Sequence, residues 1–461
     1  MTDLSVQTTP IPGLLVFHLP VHGDARGWFK ENWQRAKMVA LGLPDFEPVQ
    51  NNVSFNAEAD VTRGMHAEPW DKLVALAQGR ILGAWVDLRP GATFGTSFTV
   101  DMGPEKAVFV PRGVANGYQA LAPDTSYSYL VNDHWSPEAK ASYTYLNLAD
   151  ESVAIDWPIA LQNAIVSEAD RGHPRLADVT PMPPPRTVIV GAGGQLGRAL
   201  QRCLPDAVAL TRADLDVTDP DAVRSWQWGG VGTIVNAAAW TAVDAAETPE
   251  GRRGAWAANV DAVAHLVEAA REHRATLVHI SSDYVFDGEA TEHTEDESFS
   301  PLGAYGASKA AGDALVRTLK RHYLVRTSWV IGEGRNFVAT MQALAARGEK
   351  PRVVDDQHGR LTFADDLAAG IAHLLAGGAA SGTYNLTNDG PVQSWFQIAQ
   401  RVFELCGRPP GDVAPQSSAD FAAGRLVSLR PRHSALSLEK IKAAGFRPRD
   451  ADEALRAYLA L

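Results

Sequence analysis

The chain has 461 residues, too many for one ordinary hydrophobic core, and its 45% hydrophobic and 21% charged residues are the balance of a globular protein with two or three domains. A formal net charge of −12 argues against nucleic acid or an anionic membrane as the main partner, although local Arg and Lys can still hold a phosphorylated small substrate. Two distant cysteines, Cys203 and Cys406, exclude a disulfide framework and a thiolate metal site.

Up to about residue 160 the sequence reads as short strands separated by Gly, Pro and Asp turns. Leu14–Phe17, Lys72–Leu76, Ile81–Asp87, Ser97–Val100, Ala107–Val110 and Ser126–Val131 are the clearest. Many short strands with regular turn signals predict an all-β sandwich or jelly roll. A proline-rich stretch, Asp178–Arg186, follows and is read as a linker, because the texture changes beyond it. Apolar strands (Val188–Val190, Thr233–Val235, Leu277–Ile280, Tyr323–Arg326) then alternate with Ala-rich helical stretches, Val260–Glu272 and Ala307–Arg321. That alternation predicts a doubly wound α/β (Rossmann) sheet, hence a multi-domain chain divided into residues 1–177, 178–186 and 187–461. The opening residues show no basic stretch leading into an apolar run, and no segment approaches the ~20 apolar residues of a membrane span. A cytoplasmic protein is expected.

The second half carries its chemistry in three places. Thr187–Gly197 is a buried-strand run breaking into a glycine turn, where Gly191, Gly194 and Gly197 permit a tight turn, close backbone approach and a pyrophosphate at a helix N-terminus. Ser281-Ser-Asp-Tyr-Val-Phe286 follows a strand, which places its polar groups at the ligand-binding edge of the sheet. Tyr305-Gly-Ala-Ser-Lys309 sets a phenol and an ammonium one helical turn apart on one face. An ammonium beside a phenol lowers its pKa, so Tyr305 is expected to be a usable proton donor to a ketone, with the Ser282 hydroxyl on the same carbonyl oxygen. Alone, a Tyr-x-x-x-Lys is an ordinary surface pair; behind a glycine fingerprint and a strand-end Ser-Ser-Asp it reads as catalytic.

These residues, with Val235–Glu247, Arg326-Thr-Ser-Trp329, Asp355-Asp-Gln357 and Arg430-Pro-Arg-His-Ser434, resemble the extended short-chain dehydrogenase/reductases and, more narrowly, the dTDP-4-dehydrorhamnose reductases. The resemblance implies Ser282, Tyr305 and Lys309 as the catalytic set, and Asp283, Trp329 and Arg432 on the sugar side. It places Gly191, Gly194, Gln195, Leu196, Gly197, Asp216, Val217, Ala238 and Ala239 around the cofactor. One departure is Arg360-Leu361-Thr362, where the family usually has a proline before the threonine. After the strand Ala207–Leu210 comes Thr211-Arg212; an arginine there accommodates a 2′-phosphate, so NADPH is expected, with NADH tolerated.

In the first half, periodicity indicates a fold class but no chemistry, so the polar clusters must speak: Gly23–Glu31, Gln50–Ser54, Arg63-Gly-Met-His66, Lys72-Leu-Val74 and Trp85–Arg89. With Phe94-Gly95, Val110–Gly113, Asp156–Pro158 and Ser167-Glu-Ala-Asp170 they resemble the dTDP-4-dehydrorhamnose 3,5-epimerases, which are cupin-like jelly rolls. The resemblance implies His66 as base and Asp170 as its partner. It assigns Arg63 and Lys72 to the enolate oxygen, Tyr129 to the acid, and Arg26, Glu31, Gln50, Asn52 and Asn116 to substrate contacts. The chemistry calls for these types. Protons at C3 and C5 of a 4-keto sugar are acidified only by the carbonyl, so a base near neutral pKa must remove them while cations hold the enolate. Only His66-Ala-Glu68 remains of a cupin metal motif, so no metal is expected. Asn116-Gly117 replaces the usual His-Gly, and His134-Trp135 replaces an aromatic pair, which bears on whether one carbon or both are epimerised.

The epimerase's product is the reductase's substrate. The expected protein is a bifunctional enzyme of dTDP-L-rhamnose biosynthesis that takes a nucleotide sugar and dimerises through its cupin-like domain. The competing readings are a degenerate cupin serving only for binding or dimerisation, a 3-epimerase/reductase making another 6-deoxyhexose, and a relative of the methionine adenosyltransferase regulatory subunit.

Overall fold

A computed structural model describes residues 3–377 and 379–460. The chain divides into two compact units, residues 1–184 and 185–461.

The first unit is built from β1 (Ser5–Thr8), β2 (Leu15–His18), β3 (Val21–Asp24), β4 (Gly27–Lys30), β5 (Gln50–Asn56), β6 (Thr62–Ala67) and β7 (Lys72–Gln78). It continues with β8 (Ile81–Asp87), β9 (Ser97–Met102), β10 (Lys106–Val110), β11 (Val114–Ala120), β12 (Thr125–Val131) and β13 (Thr144–Tyr145). A six-stranded sheet in the order β1-β2-β10-β7-β12-β5 accompanies a five-stranded sheet in the order β13-β6-β11-β8-β9, all their pairs antiparallel. Val74, Leu76, Val108 and Val110 of the first meet Ile81, Trp85 and Tyr118 of the second in one core. Each large apolar side chain so buried contributes about 1.5–3 kcal/mol. Strands β3 and β4 pair only with each other, as a hairpin whose Trp28 and Phe29 are exposed.

The proline-rich stretch is not free along its whole length. Val179 and Met182 are buried in the first unit's core, Met182 N donates to Leu88 O, and Arg112 donates to Pro183 O. The division falls between Pro184 and Pro185, within the proline-rich stretch 178–186, and the buried Val179 and Met182 side chains bind the first part of that stretch to the sandwich.

The second unit holds a parallel sheet of β14 (Arg186–Val190), β15 (Val208–Leu210), β16 (Val231–Asn236), β17 (Thr276–Ser282), β18 (His322–Thr327) and β19 (Gly382–Asn385), in the order β15-β14-β16-β17-β18-β19. Strand order reverses between β14 and β16, and the crevice beyond their carboxyl ends is where such sheets bind ligands. The helix Ala304–Val316 lies close against its neighbours because Gly306 and Gly312 carry no Cβ; one would strike Tyr284 O and the other Asn259 O. Asn259 itself sits in a π-helical turn, Ala257–Asp261, an irregularity common at functional sites. Three short strand pairs and the helices Phe337–Arg347, Trp395–Leu405 and Ala451–Leu459 form a smaller part with its own core, including Val338, Phe363, Phe403 and Leu455. Among the described residues no helix is long and apolar enough to cross a membrane.

Candidate functional sites in the two units

In the first unit, β6 carries Arg63 and His66. The short helix Glu168–Arg171, capped by Ser167 Oγ on Asp170 N, turns Asp170 toward them. Asp170 Oδ1 lies 2.9 Å from His66 Nε2, and Oδ2 accepts Gly64 N at 3.3 Å. Burial acts to raise the Asp170 pKa, but the His66 hydrogen bond and charge and the Gly64 N–H outweigh it and hold the carboxyl below its ordinary value. His173 lies beside the pair, 3.9 Å from Asp170 Oδ1, stacked on Tyr145 and edge-on to His66. One ligand-type atom from each of His66, Asp170 and His173 falls within 4.8 Å of the others. Both Asp170 oxygens are engaged, one by His66 and the other by Gly64 N, with the His173 ring beside the pair.

The facing sheet supplies the remaining groups. Tyr129 on β12 stands opposite Asn52 on β5 and Val74 on β7; Val131 stands opposite Gln50 and Lys72. Gln50 donates to Asn52 Oδ1 and accepts Trp135 N. The Lys72 ammonium is 2.8 Å from Glu68 Oε2 and 5.9 Å from the centre of the Tyr129 ring. Burial first, and Glu68 second, push the Tyr129 phenol up to about 12, so at neutral pH it holds its proton. Arg63 donates to Asn56 Oδ1, which also accepts the Tyr118 hydroxyl. Asn116, directly across from His66, accepts the Tyr127 hydroxyl at 2.8 Å, so the residue that replaces the expected histidine is committed to a tyrosine. Arg26 and Glu31 stand apart from the His66 group: both are exposed, Arg26 in the β3–β4 hairpin and Glu31 just after it, paired with Asp24 and Lys37. Glu68, Trp70, Tyr145 and His173 were not among the expected site residues. Asp170 and His173 are three apart at a helix end, a legible spacing, whereas Glu68 to Lys72 is a helical spacing that means nothing across a strand turn.

In the second unit, Gly191 has φ +76° and a Cβ there would meet Ala238 N at 2.5 Å, so the turn after β14 sits directly against the loop after β16. Gly194 caps the helix Gln195–Cys203, whose first N–H groups are the free donors that suit a pyrophosphate. Leu196 and Val217 are buried in the two core clusters flanking the sheet, and Gln195 donates to Arg335 O. Ala238 N is held by Asn236 Oδ1, and Ala239 follows it. Arg212 is exposed just past β15 and pairs with Asp216, whose other oxygen takes the Thr218 N–H and hydroxyl. These are residues a dinucleotide requires: a cradle without side chains, a helix N-terminus and a cation beyond the second strand.

Ser282, at the end of β17, donates to Asp283 Oδ1 at 2.9 Å. Tyr305 packs edge-on to Tyr284. Burial pushes the Tyr305 phenol up, while a hydrogen bond with Ser282 pulls the other way. Lys309 does not depress it as the spacing suggested. Its ammonium donates to Ile280 O at 2.7 Å and lies 3.4 Å from His279 Nε2, and burial lowers its own pKa to about 8. Asp283 is buried with its carboxyl pushed up to about 6 by desolvation, against hydrogen bonds from Ser434 and Ser282. Trp329 has a left-handed backbone, φ +46°, and stacks on Trp395 with centroids 3.8 Å apart. Of the two arginines in Arg430-Pro-Arg432, Arg430 is the one built into this region: it grips both Asp244 oxygens at 2.9 Å and reaches Tyr284, whereas Arg432 is exposed near Asp356.

Comparison with known proteins agrees with both geometries. Residues 8–178 match the family described as dTDP-4-dehydrorhamnose 3,5-epimerase, and residues 185–461 match the RmlD substrate binding domain. A protein of Streptococcus pyogenes named "Protein RmlC homolog" is 54% identical over 179 residues, covering 38% of this chain and 90% of that one. A dTDP-4-dehydrorhamnose reductase of Streptomyces griseus is 40% identical over 283 residues, covering 59% of this chain and 91% of its own. The crystal structure of dTDP-4-dehydrorhamnose reductase from Bacillus anthracis in complex with NADP aligns with a TM-score of 0.56 at 33% identity, covering 60% of this chain and 99% of that one. The chain therefore belongs to two families in series, the dTDP-4-dehydrorhamnose 3,5-epimerases over residues 8–178 and the RmlD substrate binding domain family over residues 185–461.

Proposed function

We propose that the chain carries out the last two steps of dTDP-L-rhamnose synthesis, epimerising dTDP-4-dehydro-6-deoxy-D-glucose at C3 and C5 and then reducing the C4 ketone with NADPH. The observation that supports this best is that each unit holds a complete set of groups for its half of the chemistry. In the first, a hydrogen-bonded His66–Asp170 dyad on one sheet accompanies a protonated Tyr129 and a buried Lys72 on the other.

His66 takes the proton from the carbon beside the ketone, and Asp170 stabilises the imidazolium that forms. Lys72 and Arg63 hold the enolate oxygen. Tyr129 returns a proton to the opposite face, which inverts the carbon. In the second unit bound NADPH would supply hydride to C4. Ser282 and Tyr305 hold the carbonyl oxygen, Tyr305 gives it a proton, and Lys309 would hold the ribose. Asp283 and Trp329 orient the sugar, with Arg432 on the same side, while Gly191, Gly194, Gly197, Ala238 and Ala239 line the dinucleotide. Arg212 takes the 2′-phosphate in place of Asp216.

The epimerase unit is also proposed to form a homodimer, because the β3–β4 hairpin and edge strand β5 expose Trp28, Phe29, Val53 and Phe55. Such a contact gives Arg26 and Glu31 a route to a partner's site; sedimentation of the full chain and of Phe29→Asp tests it. The proposed compartment is the cytoplasm, where the nucleotide sugar and NADPH are available.

The deciding experiment is incubation with dTDP-4-dehydro-6-deoxy-D-glucose and NADPH in D₂O, with the product identified by NMR. Deuterium at C3 and C5 and the L-rhamno configuration are expected. Label at C3 alone would sink the rhamnose assignment.

A further inference from the structure

Glu68 lies one residue past β6 and two past His66, and its backbone carbonyl accepts Gly113 N. Its carboxylate is buried, and one oxygen, Oε2, takes both the Lys72 ammonium at 2.8 Å and the Trp70 indole N–H at 2.8 Å. Lys72 opens β7 on the other sheet and is itself buried, with its ammonium 5.9 Å from the centre of the Tyr129 ring. Anion, ammonium and phenol thus form a chain of contacts that joins the two sheets of the sandwich.

An epimerase acid must arrive protonated, and a buried lysine works against that. An ammonium 5.9 Å from the ring centre lies within about 9 Å of the phenol oxygen, where at an effective dielectric of about 20 an unpaired charge favours the phenolate by roughly one unit of pH or more. Tyr129 has a second cation near it, Arg63 on β6, together with the neutral Asn52 on β5 and Tyr118 on β11. Its neighbour Tyr127, on the same strand, is held by Asn116. Glu68 is a carboxylate that acts on this phenol against Arg63, and it is ion-paired with the Lys72 ammonium.

We infer that Glu68 is a positioning residue of the epimerase site, which holds Lys72 as a charge-balanced ammonium and so keeps Tyr129 protonated for delivery to the enolate. The inference rests on the proposed epimerase reading.

The test is the pH dependence of solvent deuterium entry into the sugar, measured on the full chain for wild type, Glu68→Gln and Glu68→Asp. Near-ultraviolet circular dichroism and thermal melting of the full chain report that the epimerase unit of each variant is folded. In Glu68→Gln the alkaline fall of kcat is expected at lower pH than in wild type by roughly one to two units, with KM changed far less. Glu68→Asp should move the fall back toward wild type. A uniform loss of rate with the alkaline limb unmoved, or a Glu68→Asp profile no different from that of Glu68→Gln, would overturn the inference. Should Glu68→Gln exchange too slowly to profile, the phenolate absorbance difference between Glu68→Gln and Glu68→Gln/Tyr129→Phe reads the phenol directly. Ionisation of Tyr129 at the wild-type pH in that pair would also overturn it. Wild type that exchanges no proton at any pH would instead count against the epimerase reading itself.

Discussion

Two buried carboxylates, Asp170 and Asp283, are perturbed in opposite directions, and each direction follows from what the group touches. Asp170 has a histidine and a backbone N–H, which favour the charged form. Its folded pKa is depressed, so its contribution to stability is present above the ordinary carboxylate range and is lost as pH falls. Asp283 is bonded to Ser282 and, among the described residues, to no cation, and burial pushes it up to about 6. Its folded pKa is raised, so the relative stability is complete below about pH 4 and declines as pH rises through about 6. Above that pH the ionised form costs roughly 2–3 kcal/mol. Asp283→Asn is accordingly expected to raise the thermal midpoint at pH 8 and to leave it nearly unchanged at pH 4, while weakening reduction of the sugar. Melting curves at the two pH values check the sign. Tyr305→Phe should reduce NADPH oxidation by roughly 10²–10⁴ with little change in cofactor affinity, since the phenol acts on the carbonyl. Stopped-flow hydride transfer with pre-epimerised sugar separates the two. His66→Ala should abolish deuterium entry by a comparable factor, and entry at the wild-type rate would remove His66 from the mechanism.

At the scale of elements, the glycine turn tests most directly. Gly191→Ala strains a residue at φ +76° and drives a methyl into the Ala238 backbone. NADPH affinity measured by fluorescence should fall at least tenfold, while deuterium exchange at the epimerase site stays at the wild-type rate. The same turn was fully legible beforehand, because glycine spacing after a buried strand has a local cause. The strands Gln50–Asn56, Thr62–Ala67 and Val114–Ala120 carry no clear strand signal along the sequence. They carry Gln50, Asn52, Arg63, His66 and Asn116, and polar residues facing an enclosed site erase the apolar alternation that marks a half-buried strand. The helix that bears Tyr305 starts at Ala304, three residues before the Ala307 that composition predicts, since Gly303 and Gly306 look like breakers along the chain whereas Gly306 serves close packing.

For the whole molecule, two activities on one chain should complement in trans if the epimerised ketone is free to leave. A mixture of the His66→Ala and Tyr305→Phe proteins should then form dTDP-L-rhamnose after a lag that shortens as protein concentration rises, whereas neither alone should. Product formation restricted to the wild-type chain would mean that the ketone is handed on without release. The sequence by itself determined the class of each unit, because strand periodicity and glycine spacing are local along the chain, and its motifs carried the resemblance to each family and with it the class of cofactor. Only the tertiary structure decided which charges meet. Arg430 reaches Asp244 across 186 residues. Lys309 turns to Ile280 and His279, not to Tyr305, and Glu68 pairs with Lys72 across two sheets. Desolvation and partner choice depend on what the fold brings alongside, and no spacing along the chain records that.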